Sequence, residues 1–124
     1  MLLNLTDLSS EPLQSQIVRQ IRAKILSGEL EAETDLPSIR ALASAQQVSV
    51  ITVQRAYETL LRDGLIHARR GKGFFVSEVP KDQKKEMAKQ KLADGLKPIV
   101  ETALAEGLSV QDIKRAIEVA ANHK

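Results

Sequence analysis

A short basic stretch at residues 69–73, with the sequence RRGKG, has the residue types best suited to binding chemistry in this chain. Arginine and lysine bind phosphate oxygens, and glycine lets a backbone approach a ligand closely. A nucleotide-binding P-loop requires Ser or Thr directly after Gly-Lys, whereas Gly73 and Phe74 follow Lys72 here. The stretch is therefore either a solvated loop tip or a contact for the backbone of a nucleic acid.

No set of residues suited to catalysis or metal binding accompanies this stretch. The chain has no cysteine, and its two histidines, His67 and His123, lie in separate segments. The Asp and Glu residues form no paired-carboxylate motif, so a nucleophile, a base and an orienting group cannot be assembled. We therefore expect no enzymatic activity, no cofactor and no metal ion. Because the sequence also lacks a signal-peptide pattern and an apolar run of about 20 residues, we expect a cytoplasmic protein.

Charge is distributed unevenly along the 124 residues. Residues 36–76 contain six basic and two acidic side chains, a net charge of +4, whereas residues 1–35 contain three basic and six acidic ones, a net charge of −3. A chain that is close to neutral overall has thus concentrated positive charge in one segment. Such a concentration is typical of a surface that binds a polyanion.

The spacing of apolar residues predicts the elements that position the basic stretch. Ile17, Ile21 and Ile25 recur every four residues and predict a helix over residues 11–27, with Ser9 or Ser10 as its N-cap. Residues 30–37 read as an acidic connector that ends at a proline.

Two helices separated by a tight gap follow the connector. Ser38 is placed to cap a short helix, and after the gap at residues 46–48, Ser49 is placed to cap a longer helix over residues 50–63. Gly64 suits the end of that longer helix because glycine adopts the left-handed conformation easily. This pattern predicts a helix-turn-helix.

After Gly64 the period of the sequence changes to that of strands. Residues 65–69 and 74–76 predict a β-hairpin whose tip contains the two glycines of the basic stretch. A helix-turn-helix followed by a hairpin is the element order of a winged helix. The three aromatic residues, Tyr57, Phe74 and Phe75, are expected to pack the wing and the helices rather than to stack on single-stranded bases.

Duplex DNA is the partner that this arrangement fits best. The first residues of a recognition helix lie near base edges in the major groove. There, branched apolar side chains can contact thymine methyl groups, Gln can pair with adenine, and Arg can reach guanine or phosphate. Two alternatives are open: Ser49 serves only as a cap, and one of the two apolar residues packs inward. The predicted DNA contacts are Arg40, Ser49, Val50, Ile51, Thr52, Gln54, Arg55, Arg69, Arg70, Gly71 and Lys72.

The remaining residues, 79–124, predict a charged helix that becomes amphipathic, a break at Gly107 and a final helix that Ser109 and Asp112 cap reciprocally. Pro98 is expected to kink or divide the first of these helices. Two helices cannot easily bury their own apolar faces, so we expect them to pair with a second copy of the chain. The predicted dimerisation residues are Leu92, Leu96, Ile99, Val100, Ala103, Leu104, Ile113 and Ile117.

Residues of about 10 to 78 resemble the winged-helix domain of the GntR family of bacterial transcription regulators. The resemblance rests on Leu-Pro-Ser-x-Arg at 36–40, Ser-x-x-Thr-Val at 49–53, Gly-Leu-Ile at 64–66 and Gly-x-Gly-x-x-Val at 71–76. The run TVQRAY at 52–57 and the short helical tail are similar to the YtrA-like subfamily in particular. One departure lies in the connector, which lacks the glycine usual in the family before Leu-Pro-Ser.

The resemblance implies DNA contacts from Arg40, from the start of the recognition helix and from the wing tip at Arg70 and Gly71. We expect a mainly helical fold with a small β-hairpin, in which residues 1–78 form a winged helix-turn-helix domain and residues 79–124 a helical dimerisation region. The function expected is that of a homodimeric repressor that binds a palindromic operator. The alternative is a winged-helix protein-interaction module without its own operator. The sequence leaves open the operator, the regulated genes, the sign of regulation and whether a small-molecule effector is bound.

Overall fold

The computed structural model of the chain describes residues 1–122. Within these residues it forms two compact units, the first over residues 1–84 and the second beginning at residue 85. The elements are α1 (Leu13–Leu26), β1 (Asp35–Leu36), α2 (Ile39–Gln46), α3 (Val50–Arg62), β2 (Ile66–Arg69), β3 (Gly73–Val76), α4 (Lys81–Ala105) and α5 (Val110–Asn122).

The first unit is built around α3, against which both α1 and α2 pack. The four-residue spacing of Ile17, Ile21 and Ile25 places all three side chains on one face of α1, where they are fully buried. The expected first helix is confirmed, but its cap is not. Pro12 occupies the N-cap position without a side-chain hydrogen bond, and the Ser9 hydroxyl instead accepts from the Glu11 N–H. The prediction that Ser9 or Ser10 caps α1 was therefore wrong.

An extended N-terminal segment lies against α1, and two glutamines of that helix hold it. Gln20 accepts from the backbone N–H of Asn4 at 2.8 Å and donates to its carbonyl at 2.7 Å. One turn earlier, Gln16 makes the same pair of bonds with Thr6 at 2.9 and 2.7 Å. This ordered segment was not predicted from the sequence. The buried side chain of Leu3 anchors it further.

The helix-turn-helix forms as its capping residues predict. The Ser38 hydroxyl accepts from the Ala41 N–H at 3.1 Å at the start of α2. At its other end Gln47 turns the chain with a left-handed φ of 55°. At the end of α3, Gly64 has a φ of +74°, so the predicted glycine stop is also confirmed.

The wing contains three strands rather than the two that were predicted. β1 pairs antiparallel with β3, with Asp35 opposite Phe75, and β3 pairs antiparallel with β2, with Phe75 opposite His67. The sheet order is β1-β3-β2. The residues of β1 lie in the segment that was interpreted as a plain connector. That interpretation missed the strand because β1 has only two residues and depends on a distant partner.

The two phenylalanines of β3 point to opposite faces of the sheet, since side chains alternate along a strand. Phe74 packs edge-to-face on Tyr57 of α3, with ring centroids 5.0 Å apart. This contact confirms that Phe74 joins the wing to the helices. Phe75 was expected to do the same, but it lies beside His67 and Arg69 on the other face.

The second unit contains most of α4 and all of α5. The helix α4 continues through Pro98, so of the two predicted effects, a kink or a division of the helix, division is excluded. After α4, Gly107 turns the chain with a φ of +97°. The predicted capping box is confirmed, because the Ser109 N–H donates to Asp112 Oδ2 at 2.9 Å and the Asp112 N–H donates to Ser109 Oγ at 3.1 Å. These bonds lower the pKa of the Asp112 carboxyl.

Candidate nucleic-acid interface

The start of α3 is fixed by Ser49. Its hydroxyl accepts from the Thr52 N–H at 3.0 Å and lies 2.8 Å from the Thr52 hydroxyl. Ser49 is therefore the N-cap of the predicted recognition helix. Because the two hydroxyls hydrogen-bond to each other, they stiffen the first turn of α3. The outer face of that turn remains exposed to solvent.

Val50 and Ile51 both face solvent at this start. Their exposed fractions are 39% and 57%, so neither packs inward. The alternative in which one of them belongs to the core is thereby excluded. Two neighbouring branched apolar side chains therefore stand on the exposed start of α3.

Gln54 and Arg55 follow on the exposed surface of α3. The Gln54 side chain donates through Nε2 to Glu58 Oε1 at 3.3 Å. This bond directs the amide along the helix and leaves its carbonyl oxygen available as an acceptor. Arg55 is exposed one residue further on.

Arg40 lies in the first turn of α2 and is exposed. Among residues 1–122 it forms no ion pair. The alternative in which Arg40 serves a surface ion pair is therefore not supported. Its charge remains available to an external anion.

The tip of the wing exposes Arg70, Gly71 and Lys72. The turn is closed by the Lys72 N–H, which donates to the Arg69 carbonyl at 2.9 Å. Gly71 has a φ of +75° and Gly73 a φ of +105°. Both are conformations in which a side chain would be strained, so the glycines are required for this tight, basic tip.

Arg69 is separated from the other basic residues of the tip. Its guanidinium forms an ion pair with Glu33 and lies 4.7 Å from the centre of the Phe75 ring. Sequence reasoning placed Arg69 among the DNA contacts and missed Glu33. The sequence signal in this region was that the connector lacks the glycine usual in the family before Leu-Pro-Ser, and this did not single out Glu33.

Tyr57 fixes α3 relative to the start of α2. Its side chain is fully buried, and its hydroxyl donates to the Pro37 carbonyl at 2.7 Å. Burial raises the pKa of the Tyr57 hydroxyl far above its ordinary value. Because Pro37 directly precedes the cap of α2, this bond sets the position of the helix that carries Arg40.

Other kinds of site find no support in the part of the chain that is described. Residues 1–122 contain no cluster of His, Asp and Glu able to hold a metal ion. His67 lies in the wing, where its Nδ1 is 3.0 Å from the Ser77 hydroxyl, and His123 lies outside the described residues. None of the described helices combines the length and apolar character needed to cross a membrane.

A rigid, capped helix with an exposed first turn, preceded by a second helix and followed by a basic hairpin, defines a winged helix-turn-helix DNA-binding regulator. Residues 13–76 match the model of the family described as bacterial regulatory proteins, gntR family. The chain belongs to the GntR family, and the expectation that it is a transcription regulator rather than an enzyme is confirmed.

Individual relatives agree with this assignment. The chain is 32% identical over 117 residues to the HTH-type transcriptional repressor YtrA of Bacillus subtilis, a match that covers 94% of this chain and 90% of that protein. The resemblance to the YtrA-like subfamily is thus confirmed.

Two solved structures show the same fold. A GntR family transcriptional regulator from Listeria monocytogenes superposes with a TM-score of 0.75 and 27% identity, over 89% of this chain and 96% of that one. The NTD of AraR, solved in complex with a mutant ORR3, superposes with a TM-score of 0.51 and 27% identity, over 54% of this chain and 96% of that one.

Proposed function

We propose that this regulator is a transcriptional repressor that binds a palindromic operator as a homodimer, in the cytoplasm. The observation that carries the proposal is the exposure of Val50 and Ile51 at the capped start of α3. Branched apolar side chains at this position gain nothing from exposure to water. In the major groove they can pack against the methyl groups of thymine.

The polar residues of α3 complete the proposed base contacts. Gln54 can present its carbonyl oxygen and remaining N–H to an adenine, and Arg55 can donate to guanine or to a phosphate. Ser49 and Thr52 stiffen the first turn through their mutual hydrogen bond. Their backbone N–H groups lie near the positive end of the helix dipole, which favours a nearby phosphate.

The basic residues outside α3 supply the phosphate contacts of the proposal. Arg70 and Lys72 are exposed at the wing tip, where they can bind the DNA backbone or a narrow minor groove. Arg40 can bind a phosphate beside the major groove. These contacts position the protein on any duplex, whereas those of α3 select the sequence.

Apolar exposure in the second unit supports the dimer. No residue of α4 or α5 is buried within the described chain, and α5 does not pack along α4. Among the predicted dimerisation residues, Leu92, Ile99, Leu104 and Ile117 have exposed fractions of 62, 66, 47 and 47%. Surfaces this apolar are usually covered by a partner.

We infer that the partner is a second copy and that α5 of each copy packs on α4 of the other. An open groove of about 440 Å³ is lined by Pro98, Ile99, Thr102, Ala103, Glu106 and Leu108. The helix α5 has an apolar stripe that includes Ile113 and Ile117. This stripe is suited to pack into the groove and cover it. A two-fold pair of recognition helices then matches a palindromic operator.

The assignment as a repressor rests on the similarity to YtrA, which is named a transcriptional repressor. A dimer bound across a promoter represses by excluding the polymerase, and this requires no further domain. No effector is assigned, because the groove on α4 is the surface that the second copy would cover.

Selection of bound duplexes from a random library tests the proposal. We expect enrichment of one inverted repeat whose half-sites each contain thymine. With about six to ten phosphates neutralised per dimer, the logarithm of the binding constant should fall with the logarithm of salt concentration at a slope of about −5 to −9. Weak binding without enrichment would refute the proposal and would favour the protein-interaction module.

A further inference from the structure

The ion pair between Glu33 and Arg69 crosses the whole sheet of the wing. Glu33 lies two residues before Asp35, where β1 begins, and Arg69 is the last residue of β2. Because β3 lies between β1 and β2, the pair joins the segment that leads into β1 to the end of β2, across the central strand. The bond therefore links the connector before the helix-turn-helix to the residue at which the wing tip begins.

The aromatic ring of Phe75 packs against the ion pair. The Arg69 guanidinium lies 4.7 Å from the centre of its ring, a distance at which a cation is attracted to the ring face. His67 stacks on the same ring at 6.1 Å, and its Nε2 lies 3.7 Å from Glu33 Oε2. Arg69 thus lies over the middle of the sheet and points away from the tip at Arg70 and Lys72.

The backbone of Glu33 is held in a conformation that disfavours a side chain. Its φ is +68°, in the left-handed region where glycine is the usual residue. Its N–H donates to the Val76 carbonyl at 2.8 Å, and the Val76 N–H donates to the Thr34 carbonyl at 2.9 Å. Glycine would occupy this position without strain, so the presence of Glu points to a role for the carboxylate.

We propose that Glu33 and Arg69 form an ionic strap that fixes the base of the wing, and that Arg69 is a positioning residue rather than a phosphate contact. The inference rests on the proposed function, because the wing has to bind DNA for its position to matter. It departs from the prediction that Arg69 binds DNA directly. Arg70 and Lys72 then supply the charge at the tip, and the strap determines where that charge lies.

Hydrogen exchange of the wing amides tests the strap without DNA. We expect Glu33→Gln and Arg69→Gln each to speed exchange of the Lys72 amide and of the β2–β3 ladder by about two- to fivefold, the range for a half-exposed pair. The two effects should not add, because both variants break the same bond. Arg70→Ala, at the tip, is the matched control and should leave the exchange of the ladder unchanged. Unchanged exchange in both single variants would overturn the proposal.

Reversal of the pair then separates positioning from direct contact. A chain with Glu33→Arg and Arg69→Glu should recover the exchange rates and most of the DNA affinity that Arg69→Gln loses, with the salt slope of the wild type. If Arg69 touches phosphate, the reversed pair places a carboxylate against DNA. Affinity would then fall below that of Arg69→Gln, and the proposal would be wrong.

Glu33→Gly separates the strap from the stability of the fold. Glycine relieves the left-handed backbone and removes the carboxylate together, so we expect a melting temperature at or above that of the wild type with weaker DNA binding. An unchanged affinity would contradict the strap. Arg70→Ala reports separately on the proposed function: if it binds duplex DNA as well as the wild type does, the wing is not a DNA contact, whatever the strap does.

Discussion

The hydroxyl of Tyr57 is a buried group whose removal has a calculable cost. It donates to the Pro37 carbonyl at 2.7 Å, and the side chain has no exposed surface. Tyr57→Phe removes this bond and leaves the ring in place. A neutral hydrogen bond contributes about 1 kcal/mol to the free energy of unfolding, which corresponds to a fall of ~4–8 °C in melting temperature for a unit of this size.

The contribution of Tyr57 to the free energy of unfolding also depends on pH, and this dependence can be calculated. Burial raises the pKa of folded Tyr57 above its ordinary value of 10.0, so the unfolded chain releases this proton first as pH rises. The stabilisation is therefore complete below pH 10 and is lost above it, by roughly 1–2 kcal/mol at pH 11. Phe does not titrate. The stability advantage of the wild type over Tyr57→Phe should thus vanish and change sign near pH ~11.

Urea unfolding of both chains between pH 8 and pH 11 measures these differences. The two chains differ only at residue 57, so subtraction of their unfolding free energies isolates the contribution of Tyr57. Because Tyr57 is the only tyrosine, tyrosinate absorbance follows its ionisation directly and should show titration only after unfolding. Titration of the folded chain near pH 10, or equal stability of the two chains at pH 8, would refute the burial and the hydrogen bond on which this reasoning depends.

Three further predictions concern the cap, the DNA contacts and the dimer. Ser49→Ala should lower the free energy of unfolding, measured in urea, by about 1 kcal/mol. Ser49→Asp should retain the cap and therefore the stability, but its negative charge should weaken DNA binding. If the alanine variant were as stable as the wild type, the cap would be contradicted. Arg70→Ala should weaken binding to all duplexes and reduce the salt slope of the dimer by about two, one for each subunit, whereas Gln54→Ala should relax preference at one base pair in each half-site. If neither change appeared in salt-dependent titrations, the assignment would be wrong. In sedimentation the chain should have twice its mass of 13.6 kDa, and Ile117→Asp but not the control Gln111→Asp should give a monomer; a monomeric wild type would exclude the dimer.

The parts of the fold that were predictable from the sequence are those set by neighbouring residues. Ser38, Ser49 and Ser109 each bind an N–H three residues later, and this bond depends only on the local helix. Gly64 and Gly107 have the left-handed φ that a helix end requires. Local signals of this kind were sufficient to identify the winged helix-turn-helix, but they left open whether Val50 and Ile51 both face solvent.

The features that were missed depend on residues far apart in the chain. The short strand β1 exists only through its pairing with β3, and the N-terminal segment is ordered by glutamines that lie 10 and 16 residues away. Glu33 and Arg69 are separated by 36 residues, so no local pattern could join them. That Phe74 and Phe75 lie on opposite faces of the sheet could have been predicted from the sequence, because the side chains of neighbouring strand residues alternate between the two faces.

Site-directed cleavage of operator DNA tests the central claim most directly. The chain has no cysteine, so a single Ile51→Cys can carry a cleavage reagent at the start of α3 without background. A dimer with one recognition helix in each half-site predicts two cleavage positions, related by the operator's two-fold axis and about 10 base pairs apart or a multiple of that distance. A single position, or diffuse cleavage along the duplex, would contradict it.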